Sequence, residues 1–202
     1  MPVFFDVGAN DGSSMLHFSN DPNNTVYAFE PTPRMISILE SRVVGRPNYI
    51  IVPKAVCDYN GFTKFKIAGQ ADWGCSSLFD FNDDLDKTWP GRTDFKVTES
   101  IDVEVIRLDD FIKQNGITEV EYLHVDTQGA DLEVLMGLGD CLHMVKAGVI
   151  EMPSNHRVKL YKNQKYVEED AVRFLTSNGF RVDAIESNDC FRNEVNIRFS
   201  RV

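Results

Sequence analysis

In YLHVDTQGADLEVL, Tyr122–Leu135, an apolar strand-like run ends in Asp126, Thr127, Gln128 and Gly129, and helical spacing begins at once. A carboxylate and two polar side chains delivered to one point fit two readings. One is a capped helix start; the other is the rim of an active site. His124 lies within the run, and period two puts it on the same side as Asp126. Glu151 ends another apolar run, and His156 follows in the next loop, an imidazole suited to taking a proton from a hydroxyl near neutral pH. A second chemical stretch is DVGANDG, Asp6–Gly12, just after the first apolar run. Glycines there let the backbone turn sharply and approach a ligand, and a following helix offers unpaired N–H groups. The spacing is Gly8 then Gly12, so the GxGxxG of dinucleotide folds is absent. This wider loop suits a ligand with a nucleoside and a zwitterionic tail better than one with two phosphates. Glu30 follows about 20 residues on, placed to accept hydrogen bonds from ribose hydroxyls.

The elements that must carry these residues alternate. Val3–Val7, Thr25–Glu30 and Tyr49–Val52 read as strands, the last continuing to Ala55–Val56. Ser13–Phe18 reads as a short helix, and Arg34–Val44 as a longer one through Met35, Ile38 and Leu39. That alternation argues for a parallel sheet with helices on both faces. Phe62–Ile67 and Ile101–Ile106 alternate with period two and are expected as antiparallel additions at one edge. The long polar segment between them, residues 68–96, is expected to be functional or mobile. Helices follow at Leu108–Asn115, Ala130–Leu138 and Glu168–Asn178, and strands at Tyr122–Val125 and Gly148–Glu151. Arg181–Glu186 and Glu194–Ser200, joined by a short link, must be antiparallel neighbours. No internal repeat or linker divides the chain, so one domain spans 1–202.

Composition excludes several classes. The 202 residues are 43% hydrophobic and 26% charged, ordinary for a globular protein. No apolar run approaches the roughly 20 residues of a membrane span, and no signal peptide precedes Asp6; a cytoplasmic protein is expected. The net charge of −10 repels phosphate backbones and argues against a nucleic-acid partner. Cys57, Cys75, Cys141 and Cys190 are scattered without zinc spacing and read as free thiols.

FFDVGANDGSS, VYAFEPTP, KAVCDYNG, CSSLF, RLDDFI, LHVDTQGADLEVLMGLG and VIEM occur in that order. With these motifs the chain resembles the FkbM-type methyltransferases, S-adenosylmethionine-dependent O-methyltransferases of the class I Rossmann-like group. The resemblance implies an α/β three-layer sandwich with a mostly parallel seven-stranded sheet, order 3-2-1-4-5-7-6, the seventh strand antiparallel. It implies that Asp6, Gly8, Asn10, Asp11 and Gly12 hold the methionine end and ribose, and that Glu30 and Pro31 hold the ribose diol. Ala55, Val56 and Asp58 would lie near the adenine, and Ser76 and Ser77 would border cofactor or substrate. It also implies a small-molecule or glycan acceptor, most naturally a sugar of a glycan or glycolipid, and the 68–96 segment is the natural element for recognising it. Its settings include excision from a longer chain, fusion to glycosyltransferase-like domains and a homo-oligomer. Many members carry Lys where this chain has His124, and Glu where it has Gln128 and Asp131.

In that strand order Asp126 and Glu151 end neighbouring strands. Two such acids could bind Mg²⁺ or Mn²⁺ through oxygen ligands, or one could act as general base. Asp126, His156, Glu151 and His124 are therefore the candidate catalytic residues. Asp126 could equally cap a helix or bind the cofactor amine, and Glu151 could form a strand-end salt bridge. Trp73, Trp89 and Tyr161 could stack on a sugar face or anchor loops. A nicotinamide-dependent oxidoreductase conflicts with the missing GxGxxG. A non-catalytic cofactor-binding module conflicts with the intact glycine loop and Glu30.

Overall fold

The computed structural model describes residues 1–68, 73–92 and 95–202, and the side chain of Trp73 lies outside the described residues. The first strand, β1 (Val3–Val7), sorts its side chains by period two. Phe5 and Val7 enter one core with Phe29, Leu123 and Ile150; Phe4 enters another with Val26, Ala28, Leu39 and Tyr49. β2 (Thr25–Phe29), β3 (Tyr49–Val52), β7 (Tyr122–Val125) and β8 (Ala147–Pro153) join it in parallel. β9 (Phe180–Ser187) and β10 (Glu194–Arg201) complete the sheet. The order is β3-β2-β1-β7-β8-β10-β9, with β10 antiparallel to both neighbours. This is the expected seven-stranded Rossmann-like sheet.

Helices cover both faces, each through an apolar stripe at i, i+4 spacing. α1 (Pro33–Arg42) starts on Pro33, whose missing N–H costs nothing in the first turn, and buries Met35 and Leu39. On the other face α3 (Leu108–Gln114) buries Leu108 and Ile112, and α5 (Glu168–Ser177) buries Ala171 and Leu175. α4 (Asp131–Met136) is shorter than expected, because the chain passes Gly137 and Gly139 (φ +46°) into a 3-10 helix, Gly139–Met144. Ser13–Phe18 likewise forms a 3-10 helix shifted to Leu16–Asn20.

The edge additions differ from expectation. β5 (Gly61–Ala68) and β6 (Val97–Ile106) do pair antiparallel. However, β4 (Ala55–Val56) takes the other side of β6, in parallel, and the three form a separate sheet, β4-β6-β5. With both sides of β6 occupied, the pair does not extend the large sheet. Pro53 separates β4 from β3 and starts this departure. The small sheet packs Phe65, Ile67, Val103 and Val105 onto Ala130, at the entry to α4.

Within the 68–96 segment, residues 69–72 and 93–94 lie outside the described residues. The rest carries α2 (Leu85–Thr88). Leu85 and Trp89 are buried against Leu160 and Tyr161, with Phe81 stacked on Tyr161 at 5.3 Å. Trp89 and Tyr161 are thus anchors between two loops. The four cysteines are free thiols. Among the described residues no helix is long and apolar enough to cross a membrane.

Candidate active site

A cavity opens at the carboxyl ends of β1, β2 and β7, where open α/β sheets bind ligands. Its floor depends on Gly8. The residue takes φ +83°, and a Cβ there would stand 1.8 Å from the Asp126 carbonyl oxygen. Only glycine lets the exits of β1 and β7 lie this close. The Gly8 and Ala9 amides both donate to Phe29 O, which ties the turn to β2.

Glu30 stands on the cavity wall, buried. It accepts Asn10 N–H at 2.9 Å and Thr32 N–H at 2.7 Å. Burial pushes its carboxyl above the usual range, and the two amides offset part of that rise. Asn10, also on the wall, carries a buried Oδ1 with no partner among the described residues. A glycine turn, a fixed carboxylate and an unsatisfied buried acceptor form a polar rim that fits hydroxyl and ammonium groups of a nucleoside-bearing ligand.

Gly8, Asn10, Glu30, Pro31, Ala55, Val56, Ser76 and Asp126 all line this cavity. The other residues named for the cofactor do not. Asp6 is fully buried beneath the turn, bonded to His124 Nδ1 at 2.9 Å. Asp11 pairs with Arg42 at 2.8 Å; desolvation opposes ionisation, but the Ser13 donors and Arg42 hold its carboxyl low. Gly12 (φ +82°) is needed for packing, since a Cβ would meet Leu39 Cδ2 at 2.8 Å. Asp58 is exposed, and Ser77 acts from behind, donating its Oγ to Gln128 O at 2.6 Å.

Asp126 leaves β7 with its amide bonded to Val7 O at 2.9 Å. Val125 pairs with Ile150 across β7 and β8, so Asp126 and Glu151 stand level. The Gln128 amide nitrogen lies between them, donating to Asp126 Oδ1 at 2.7 Å and Glu151 Oε2 at 2.8 Å. Asn188 Nδ2 donates to the other Glu151 oxygen. Burial first, then the Asp126 charge, hold the Glu151 carboxyl well above the usual range. Glu194 is pushed up to about 8 by burial and by Asp126 and Asp131. Asp131 closes the turn, accepting Thr127 N–H at 2.6 Å, Thr127 Oγ1–H at 3.0 Å and Gly129 N–H at 2.9 Å. Burial and Asp126 push it up to about 7.

The two histidines are not brought to the cavity. His156 is exposed in the loop after β8. His124 faces Asp6 in a shallow hollow beside Tyr122 and Arg198, not the side Asp126 lines. The Mg²⁺ or Mn²⁺ expectation finds no support. Among the described residues no group of three or more His, Cys, Asp or Glu is arranged to hold a metal, and amide N–H groups stand where the cation would bridge Asp126 and Glu151. Sequence reasoning missed Lys54, Thr127 and Gln128 as cavity-lining residues and Glu194 as a neighbour of Asp126. The signal for Gln128 and Thr127 was available, since both adjoin Asp126; Glu194 carried none.

Residues 6–182 match the family described as the methyltransferase FkbM domain. The 2-O-methyltransferase NoeI of Sinorhizobium fredii (strain NBRC 101917 / NGR234) is 29% identical over 142 residues. That alignment covers 67% of this chain and 57% of that protein, so the chain spans little more than half of its relative's length. Among solved structures, Aeropyrum pernix fibrillarin with natively bound S-adenosyl-L-methionine superposes with a TM-score of 0.54 at 12% identity, covering 98% of this chain and 65% of that one. SMU.1697c of Streptococcus mutans, solved in complex with SAH, gives 0.53 at 9%, covering 100% and 89%. At such identities these likenesses show the fold alone. The chain belongs to the FkbM methyltransferase family and has the fold of S-adenosylmethionine-dependent methyltransferases.

Proposed function

We propose that this chain transfers a methyl group from S-adenosylmethionine to a hydroxyl of a small acceptor, a sugar of a glycan or glycolipid. The observation that carries the reading is the placement of Asp126 and Glu30 on one cavity, joined by the Gly8 turn. Glu30 and the unsatisfied Asn10 oxygen would receive hydroxyl and ammonium donors of the cofactor. Ala55, Val56 and Phe29 supply apolar wall for a base. Bound S-adenosylmethionine would supply an activated methyl group. Asp126, at the mouth, would accept the acceptor's O–H and take its proton as that oxygen turns nucleophilic. Burial, then the Asp126 charge, raise the Glu151 carboxyl and so favour its neutral form beside Asp126. The name of the 2-O-methyltransferase relative supports an oxygen acceptor; the nicotinamide reading draws no support.

Calorimetric titration with S-adenosylmethionine tests the first half, and absence of saturable binding would sink the proposal. Glu30→Ala should weaken cofactor binding about tenfold or more, the scale of lost charge-assisted hydrogen bonds. Asp126→Asn should keep cofactor affinity and lower kcat by about 10²–10⁴-fold on a panel of sugar acceptors. Undiminished turnover in Asp126→Asn would remove Asp126 from the mechanism.

A further inference from the structure

Asp126 and Glu151 stand level on adjacent parallel strands, and two carboxylates so placed need something between them. A proton, a cation or a shared hydrogen-bond donor would serve. The structure supplies the third, and burial with the Asp126 charge favours the first at Glu151 as well. One Gln128 amide hydrogen goes to each acid, at 2.7 and 2.8 Å. The side chain reaches this place because the backbone turns back on itself, with φ +57° at Gln128 and φ +110° at Gly129. The amide is fixed at its other end too. Its Oε1 lies 2.9 Å from the Tyr161 hydroxyl, whose one hydrogen it shares with Cys75 O at 2.9 Å, and its backbone carbonyl accepts from Ser77 Oγ. With the amide reversed, its oxygen would face the Asp126 and Glu151 oxygens in place of the two hydrogens it donates to them.

We propose that Gln128 is the positioning residue of this site: its carboxamide ties Asp126 to Glu151 and aims Asp126 into the cavity, in place of a divalent cation. A cation needs oxygen ligands, and the bridging position presents N–H. A glutamate at 128 would reverse that chemistry, setting a third carboxylate beside the other two. The single residue would then decide between a cation-independent and a cation-dependent site. The consequence for turnover rests on the methyl-transfer reading; the cation readout does not.

The test is Mn²⁺ titration of the full chain by calorimetry at about pH 8, with far-UV circular dichroism as the control for folding and S-adenosylmethionine affinity measured in parallel. Wild type should show no saturable Mn²⁺ binding up to about 1 mM, and its cofactor affinity should be unchanged by EDTA. Gln128→Glu should bind Mn²⁺ at least about tenfold more tightly than wild type, and lose that gain when combined with Asp126→Asn. Gln128→Ala, which removes the donors without adding charge, should keep cofactor binding but lower kcat, and added Mn²⁺ should restore part of it. Micromolar Mn²⁺ binding by wild type that Asp126→Asn abolishes would overturn the proposal, whether or not the variants fold. So would a folded Gln128→Glu with no gain in Mn²⁺ affinity. If cofactor binding and the Mn²⁺ results hold but no acceptor is methylated, the methyl-transfer reading fails and the bridging role stands.

Discussion

At the scale of single residues, the Asp6–His124 pair is the most consequential feature outside the cavity. Asp6 is fully buried, and its Oδ1 meets His124 Nδ1 at 2.9 Å. Burial alone would lower the imidazole pKa; the hydrogen bond and charge of Asp6, helped by Asp126 and Asp131, outweigh it and raise it. A histidine whose folded pKa is raised stabilises the fold fully below its unfolded value, near 6.5, and loses that stabilisation as pH rises through the folded value. The chain should therefore lose stability from this pair as pH rises above about 6.5. Urea unfolding across that range should show the decline in wild type and a shallower one in His124→Gln. Equal slopes in the two proteins would show that the pair is not the source. Asp6→Ala, which leaves burial as the main influence on His124, should lower the imidazole pKa and remove this pH dependence.

At the scale of elements, the site is a meeting of strand exits, and Gly8 sets how close they come. Gly8→Ala must bear both a left-handed φ and a Cβ inside the Asp126 carbonyl. Gly45→Ala is the internal control, because Gly45 has φ +78° but nothing within 4 Å of a Cβ. The control should cost about 1–2 kcal/mol, the left-handed penalty. Gly8→Ala should cost several more and abolish cofactor binding, since β1 and β7 must part. Chemical denaturation and cofactor titration of both variants measure this; similar costs would mean that the strand exits can yield. The same locality explains what could be read before the structure was known. Gly8, Glu30 and Asp126 each end a strand, and a strand, a turn and a helix write their pattern into contiguous residues. The bridge from Gln128 to Glu151 spans two strands and depends on register, which no local pattern encodes. The small sheet was misplaced for the same reason: an alternating strand reads identically whether its edge faces the main sheet or β4. His124 was assigned to the cavity by period two, but Asp126 lies beyond the end of β7, where the alternation no longer applies.

At the scale of the whole molecule, two segments far apart in sequence cover the exit of β7. Residues 75–92 and 158–164 meet through Leu85, Trp89, Leu160 and Tyr161, with Phe81 and Phe95 against them. Trp89 Nε1 donates to Val158 O at 3.2 Å, and Asn82 pairs with Leu160 and Lys159. This cluster is separate from the cores that hold the large sheet. Yet it reaches the site, because the Tyr161 hydroxyl holds Gln128, and the Tyr161 ring lies 2.9 Å from where a Gly129 Cβ would be. Trp89→Ala removes its largest side chain, a change worth about 3–5 kcal/mol where a core is involved. Because the cluster is a satellite, that cost should fall first on local opening rather than on global unfolding. Hydrogen exchange should show protection falling by about tenfold or more at 81–89 and 158–164 while β1, β2 and β7 stay protected. On the proposed assignment of the cofactor to the glycine turn and Glu30 and of positioning to Gln128, cofactor affinity should change little and turnover should drop. A uniform loss of protection across the large sheet would instead make this cluster part of one cooperative core.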